Sequence, residues 1–395
     1  MTEVILITTF VLSAFLVCYH HVAYPMLLAW YSKKTPNQSV ESVARGYKPD
    51  NQDKQCLSVT ILVPAYNEQL WIAEKIRNLA CLDYPRDKFK VIIVCDGCTD
   101  KTVEIAEQTI QEAICSDTHF EILAFECNQG KVAILNQHIA SIDTDIAALS
   151  DVSALISVDA LWLANQHFHN PKVGVVNGHY QLFATNNEGE NRYWQYQSQV
   201  KMNESKLGST LGAHGAFYLF RTALFEPMDS NTINDDFIIP MQIVRRGYLA
   251  THEPRIMALE MEATNTASDY QRRLRISAGN MQQAILLFDM FLPKYRGVAF
   301  AFFSGKGLRL LTPYLLLVCL FTSALLANYP LFTLALISQL AIYALALLRH
   351  HFPSVFRHKI CTLVHYIVAG HWANLIGGLR YLLGLESGKW SRVDQ

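Results

Sequence analysis

The sequence has no second Cys-x-x-Cys to complete the one at Cys95 and Cys98, and its nine cysteines are otherwise scattered singly. A thiolate zinc site would therefore hold only half of its ligands, and a disulfide framework has no basis. Excess charge of one sign is also missing. Lys+Arg 33 against Asp+Glu 34 leave a net charge of -1, so no global field recruits nucleic acid. There is no internal repeat and no low-complexity tract, which sets aside solenoids and disordered arrays. Charged residues are only 17% of the chain and hydrophobic ones 51%, and that excess sits at the two ends.

The first apolar stretch runs from Val4 to Tyr31 without a charged residue. It exceeds the roughly 20 residues that span a bilayer, and is longer than the apolar core of a signal peptide. Only Glu3 precedes it, whereas Lys33, Lys34, Arg45, Lys48 and Lys54 follow. By the positive-inside rule the segment is a retained anchor with the middle of the chain in the cytoplasm. Near the other end, Leu308–Leu326 and Tyr329–Leu348 are joined by a tight "ANYP" turn. Lys294, Arg296, Lys306 and Arg309 precede the pair, and Arg349, Arg357 and Lys359 follow it. This is the pattern of a membrane hairpin with both ends in the cytoplasm. A weaker stretch, Ile360–Leu383, carries His365, His371, Asn374 and Arg380, and reads either as a further span or as an interfacial helix. "MFLPKYRGVAFAFF" reads as interfacial, with Lys294 and Arg296 towards headgroups. None of these stretches has the intramembrane carboxylates of a coupled transporter.

Between the ends, strands and helices alternate. "SVTILVPAYNE", "FKVIIVCDGCTD", "FEILAFECNQGK" and "DIAALSDVSALI" read as four strands, the first three running into turns and the last ending in an acidic turn, with helical periodicity between them. That alternation predicts an α/β domain with a mostly parallel, Rossmann-like sheet. In such sheets ligands bind beyond the carboxyl ends of the strands. Glu68, Asp96 and Asp151 follow their strands and are placed there, as are Gly130 and Lys131 of "NQGK", Ser153 of "SDVS", and Asp235 and Asp236 of "NDDF". The literal Asp-x-Asp at Asp143 and Asp145 precedes its strand and reads as solvated loop on the opposite edge. Carboxylates gathered after different strands repel unless a cation intervenes, and Mg²⁺ or Mn²⁺ shared with a diphosphate is the usual solution. A Gly beside a Lys suits phosphate contact, and "QRRLR" would complete an anion clamp. Taken singly, each piece is ordinary turn or surface chemistry.

"VTILVPAYNE", "VIIVCDGCTDKT", "NQGKVAILN", "LSDVSALISVDALWLANQHFHNPKVGVVNG", "GAHGAFYLFRTALF", "NDDFIIPMQIVRRGY" and "RRLRISAGN", in that order, resemble the membrane-bound family-2 inverting glycosyltransferases. That group includes the cellulose, chitin, hyaluronan and poly-N-acetylglucosamine synthases. The likeness covers about Ser58 to Asn280 and implies a GT-A domain that takes a nucleotide sugar, UDP-linked in most relatives, and a divalent metal. It implies nucleotide contacts by Pro64, Tyr66, Glu68, Asp96, Lys131 and Asp151, and a metal held by Asp151 with Ser153. Asp236 would be the general base. Arg275, with Arg272, would steady the departing diphosphate, and His214 and Asp235 would lie towards the acceptor. The acceptor would be a polysaccharide or a lipid-linked sugar, joined through a β-linkage, with membrane lipid and possible export or polymerisation proteins as partners. A bacterial inner membrane is the setting implied.

Two positions depart from the pattern. Ser153 stands where many relatives carry a second Asp, which leaves room for His252 or another group to help. Ile276 replaces the Trp whose ring meets the acceptor sugar in polymer synthases. A transferase adding a single sugar to a glycolipid, or a non-catalytic scaffold with a degenerate domain, therefore stays open beside a processive synthase. The organisation expected is an anchor over 1–31, a linker over 32–55, the GT-A domain over 56–283, and an interfacial region over 284–306. A hairpin over 307–348 follows, then a further membrane or interfacial helix and tail over 349–395. The aromatic-rich "NRYWQYQSQVKMNE" reads as an amphipathic helix near acceptor or bilayer.

Overall fold

The protein is described here by a computed structural model, which covers residues 1–34, 55–183, 188–262 and 266–386. The chain divides into two compact units, Ser32–Asn265 with Ser387–Gln395, and Met1–Tyr31 with Thr266–Glu386. It opens with α1 (Thr2–Cys18), a π-helical turn over Tyr19–Ala23 and α2 (Tyr24–Lys34).

The first unit is built on β1 (Val59–Ala65), β2 (Phe89–Asp96), β3 (His119–Phe125), β4 (Ile146–Ser150), β5 (Ala154–Ile156), β6 (Val173–Leu182), β7 (Phe217–Arg221) and β8 (Leu249–Glu260). Every residue of β1 and β4 is buried. Apart from Thr60 in β1 and Ser150 at the end of β4 both are apolar, with no alternation, as strands covered on two faces require. The strands form one sheet in the order β3-β2-β1-β4-β7-β6-β8-β5. The β3-β2-β1-β4 part is parallel, and β7 runs antiparallel to both β4 and β6. Its helices are α3 (Ile72–Ala80), α4 (Thr102–Thr109), α5 (Lys131–Ile139), α6 (Ala160–Phe168), α7 (Glu188–Lys206) and α8 (Asp235–Arg245).

"DIAALSDVSALI" is not one strand. The chain leaves the parallel sheet after Ser150, and the next three paired residues, β5, join β8 antiparallel at the far edge. Apolar residues on both sides of the break hide it in the sequence. A buried lysine holds it in place. Lys75 of α3 is fully buried, and its ammonium donates to Ser150 Oγ at 2.6 Å and to the Ala154 carbonyl, one group on each side of the break. Burial lowers its pKa to about 7 against the opposing pull of Asp151 and Glu260.

The second unit holds α9 (Thr266–Leu286), α10 (Gly297–Ala301), α11 (Leu308–Leu325), α12 (Pro330–His351) and α13 (Lys359–Leu382). Four stretches are long and apolar enough to cross a membrane: Thr2–Lys34, Gly297–Leu325, Pro330–His351 and Lys359–Leu382. The interfacial region expected to end at residue 306 instead merges with the helix after it. Arg296 adopts a positive φ of 50° and turns the chain, and helix then runs unbroken from Gly297 through a π-helical turn at Phe302–Gly307 into α11. Pro330, at the first position of α12, has no amide hydrogen to leave unpaired there.

Candidate active site

The site opens where β4 stops short. Its pairing with β1 ends at Leu62↔Leu149, while β1 continues beside β2 to Ala65. This is the point at which strand order reverses, and a crevice forms there in open α/β sheets. Pro64 lies buried within β1 just past the end of that pairing, where a missing amide hydrogen costs least. Tyr66 and Glu68 follow half-buried on the loop. Asn67, at φ 55°, accepts the Thr99 amide at 2.8 Å, and the Glu68 amide donates to Thr102 Oγ1 at 2.7 Å, so the loops after β1 and β2 are tied together.

Asp96, expected to meet the nucleobase, has another task in this structure. It is fully buried, and its two carboxylate oxygens accept the Gln129 and Gly130 amides at 2.8 Å each. Its neighbour Gly97 has φ +66°, and a Cβ there would lie 2.3 Å from the Asn128 nitrogen. The Asp-Gly turn therefore clamps the "NQGK" loop and sets Lys131 as the first residue of α5. The cysteines flanking that turn remain thiols: Cys95 is buried in β2, and Cys98 Sγ donates to the Ala65 carbonyl at 3.5 Å.

The loop delivers Lys131 into an acidic cluster. Its ammonium lies 3.1 Å from Asp151 Oδ1 and 3.5 Å from Asp235 Oδ2. Burial disfavours its charge, but Asp151, Asp235 and Asp236 together outweigh that and raise its pKa. Asp235, expected near the acceptor, is buried and faces the lysine instead. Asp236, next in α8, accepts the Gly215 amide on Oδ2 at 3.1 Å. Burial and the adjacent Asp235 push its pKa up to about 6, although Lys131 and Lys201 pull the other way. Half-buried Lys201 reaches this cluster from α7, which no strand-end rule could have indicated. Its ammonium donates to the Ala213 carbonyl at 3.0 Å, and burial lowers its pKa. His214 stacks on Tyr180 with ring centroids 3.8 Å apart, one residue from the Asp236 contact.

Gly215 lies between the carboxylates of Asp151 and Asp236. A Cβ there would lie 3.1 Å from Asp151 Oδ2 and 3.8 Å from Asp236 Oδ2. Gly215→Ala is expected to lower kcat by up to about 10-fold, since the added methyl pushes Asp151 aside by a few tenths of an ångström and a full 1 Å costs about 100-fold in a preorganised site. Steady-state kinetics beside a thermal melt would check it, with the melt nearly unchanged.

Other expected positions fall elsewhere. Arg272 and Arg275 lie on α9, in the other unit, with Arg275 exposed. His252 is buried in β8, where its Nε2 lies 3.3 Å from Ser198 Oγ, and burial lowers its pKa to about 3. Asp145 is not merely solvated, because its carboxylate accepts the Ser58 amide and hydroxyl at 2.8 and 2.6 Å and ties β4 to β1. Asp143 pairs with Lys90 at 2.8 Å on the surface. Within the aromatic-rich stretch, the side chains of residues 191–195 fall outside the described residues.

Among the described residues, no three His, Cys, Asp or Glu side chains could cage a metal. The donor set fits a different arrangement. Asp151 is 39% exposed in the crevice, half-buried Ser153 stands two residues on, and Asp235 Oδ2 is buried without a hydrogen bond. Mg²⁺ and related ions commonly take one or two carboxylates and complete their shell from phosphate and water.

A largely parallel sheet that gathers carboxylates and a lysine beyond its strand ends, and continues into antiparallel strands, is the GT-A-like architecture of glycosyltransferases. A mannosyltransferase from Pyrobaculum calidifontis, solved in complex with GDP-Man and Mn2+, shares the fold at a TM-score of 0.68 and 22% identity, over 93% of this chain and 99% of that one. The chain belongs to the glycosyltransferase like family 2, whose model matches residues 57–278. A poly-beta-1,6-N-acetyl-D-glucosamine synthase of Staphylococcus aureus (strain COL) is 26% identical over 252 residues, 62% of this chain and 59% of that protein. The Staphylococcus epidermidis synthase of the same name is 23% identical over 249 residues, 61% of this chain and 58% of that protein. The match thus spans under two thirds of these relatives' length.

Proposed function

We propose that the protein is an inverting glycosyltransferase that moves a sugar from a UDP-sugar to a polysaccharide or lipid-linked acceptor and forms a β-linkage. The observation that carries this reading is the pairing of Asp236, at a pKa of about 6, with Lys131 and Asp151 across Gly215. The Gly215 amide occupies Asp236 Oδ2, which leaves Oδ1 to take the proton of an acceptor hydroxyl. That oxygen attacks the anomeric carbon from the face opposite the diphosphate, the glycosidic bond to phosphate breaks, and UDP leaves with its electron pair. Lys131 faces the charge that develops on it. A divalent ion bound through Asp151 and Ser153 would add Lewis-acid neutralisation of the diphosphate.

The likeness to poly-beta-1,6-N-acetyl-D-glucosamine synthases makes UDP-N-acetylglucosamine the first donor to test. The Lys and Arg residues after the first helix support a cytoplasmic face for the site. Ile276, 39% exposed on α9, offers no ring for an acceptor sugar, and favours short products or single additions over a long polymer. Purified protein in detergent should release UDP from one member of a UDP-sugar panel with Mn²⁺, and mass spectrometry of the product should give the number of sugars added. Cys98→Ser should turn over like the wild type. If no donor in the panel releases UDP above the buffer rate with any lipid or saccharide acceptor supplied, the reading fails.

A further inference from the structure

The membrane-helix unit contains a cluster of three imidazoles and a guanidinium that sugar transfer does not use. The π-helical turn between α1 and α2 carries His20 and His21, and α13 carries His371. The His20 and His21 ring centroids lie 4.8 Å apart, and those of His21 and His371 5.2 Å apart. Arg309, in the first turn of α11, acts electrostatically on all three rings, and no carboxylate stands among the charges acting on them. Among the described residues, the side chains of His21, His371 and Arg309 have no hydrogen-bond or ion-pair partner.

The surroundings are built. The two π-helical turns meet, with Tyr19 Oη 2.9 Å from Ser304 Oγ and His20 Nδ1 2.8 Å from the Ser304 carbonyl. That second contact makes Nδ1 the protonated nitrogen and leaves Nε2 as the atom not taken up by Ser304. A Cβ on Gly305 would stand 3.1 Å from the Tyr24 hydroxyl, so the helices approach closely there. Asn374 donates to the Arg309 carbonyl at 2.8 Å and holds α13 against the start of α11. π-helical turns of this kind are rare and concentrate at functional sites.

The level of the cluster is informative. Tyr329 and Glu3 are 3.2 Å apart, which marks one end of the helices. His21 stands about 27 Å of helix from Glu3, and Arg309 about 24 Å from the end of α11. With a hydrocarbon core of about 30 Å, the cluster lies near the opposite boundary, at the depth of lipid phosphates. Lys33 and Lys34 follow on the same side.

We propose that His20, His21, Arg309 and His371 form a binding site for the phosphate headgroup of an anionic membrane lipid. An unpaired guanidinium at this depth is costly, and a phosphate satisfies it through two parallel hydrogen bonds. The N–H groups of His21 and His371 supply further donors to the same oxygens, while His20, whose proton is held by the Ser304 carbonyl, packs behind His21. The site rests on the membrane reading of these helices and is independent of sugar transfer, so its test uses no nucleotide.

The full chain in a neutral detergent is titrated with dioleoyl phosphatidic acid, dioleoyl phosphatidylcholine or inorganic phosphate, while thermal unfolding is followed. Phosphatidic acid should raise Tm by several degrees and phosphatidylcholine should not. Arg309→Gln should weaken phosphatidic acid at least about tenfold, as loss of a charge-assisted pair does. His371→Gln should weaken it less, and Arg309→Lys should recover part of the loss. Lys359→Gln, a basic residue elsewhere on α13, should bind as the wild type. Equal effects of the two lipids, undiminished binding by both Arg309→Gln and His371→Gln, or an equal loss in Lys359→Gln would overturn the site. Inorganic phosphate matching phosphatidic acid would overturn the lipid and leave a soluble anion in its place.

Discussion

Asp236→Asn should abolish turnover and at the same time make the protein more stable. The activity loss follows from the role of the carboxylate: a positioned base contributes about 10²- to 10⁴-fold, and asparagine of the same shape accepts no proton. UDP release should therefore fall by at least about 10²-fold, with little change in the donor KM, because the base is placed at the acceptor hydroxyl rather than at the nucleotide. In the wild type, kcat/KM for the acceptor should fall as pH drops through about 6, where Asp236 takes up its proton. The residual activity of the variant should lose that inflection.

The stability gain has a separate cause. The folded-state pKa of Asp236 lies above the unfolded value of 3.8, because burial and Asp235 disfavour its charge. The native state then holds an extra proton between about pH 4 and 6, and the stability this group lends is present below that window and lost as pH rises through it. At neutral pH the ionised carboxylate is held at a cost on the order of 1–3 kcal/mol, with the lower end favoured because the group still reaches solvent. Asparagine removes the charge, and Tm at pH 7.5 should rise by a few degrees, at about 2–4 °C per kcal/mol for a unit of this size. The gain should vanish near pH 4. A variant that is inactive and less stable at pH 7.5 would show instead that Asp236 holds the fold, chiefly through its bond to Gly215.

How much of this was legible in the sequence depends on the kind of contact involved. The strand-end rule put Asp96, Lys131 and Asp151 on one edge, because position after a parallel strand fixes which edge a residue reaches; Asp236 follows antiparallel β7 and returns to that edge only through the long segment before α8. The rule could not say how the carboxylates divide their tasks. Asp96 looks like any exposed turn aspartate until the loop 33 residues on is seen folded onto it. Asp235 and Asp236 are adjacent in sequence, yet one turns to Lys131 and the other to the Gly215 amide. Lys75 and Lys201 were missed for a common reason: each sits on a helix where a lysine reads as solvated surface, and only packing buries Lys75 of α3 and half-buries Lys201 of α7. The continuous helix from Gly297 was masked by Lys294, Arg296 and Lys306, which read as headgroup anchors without regard to the turn at Arg296. The cysteines on either side of the Asp96–Gly97 turn are free thiols.

Asp151→Asn should be the second severe variant, and its failure should be of a different kind. Asp151 has an open side chain, 39% exposed against 11% for Asp235, and its Oδ1 is the nearer of the two acidic contacts of Lys131. Asparagine keeps the volume but removes the charge that attracts a cation, and with it several kcal/mol of stabilisation of the departing diphosphate, about 10³-fold in kcat. The Mn²⁺ concentration giving half-maximal activity should rise more than about tenfold, and excess Mn²⁺ should recover part of the rate; Asp236→Asn should show no such recovery. Lys131 decides how the result is read. Without its carboxylate partner the lysine remains beside Asp235, so a phosphate oxygen can still be met by one positive charge. Should EDTA leave wild-type UDP release intact while Lys131→Met destroys it, the charge on the leaving diphosphate is met by that lysine alone, and Asp151 serves only to aim it. Should EDTA stop release and Mn²⁺ or Mg²⁺ restore it, the serine at position 153 is a sufficient companion to a single aspartate, because the diphosphate and water supply the remaining oxygens.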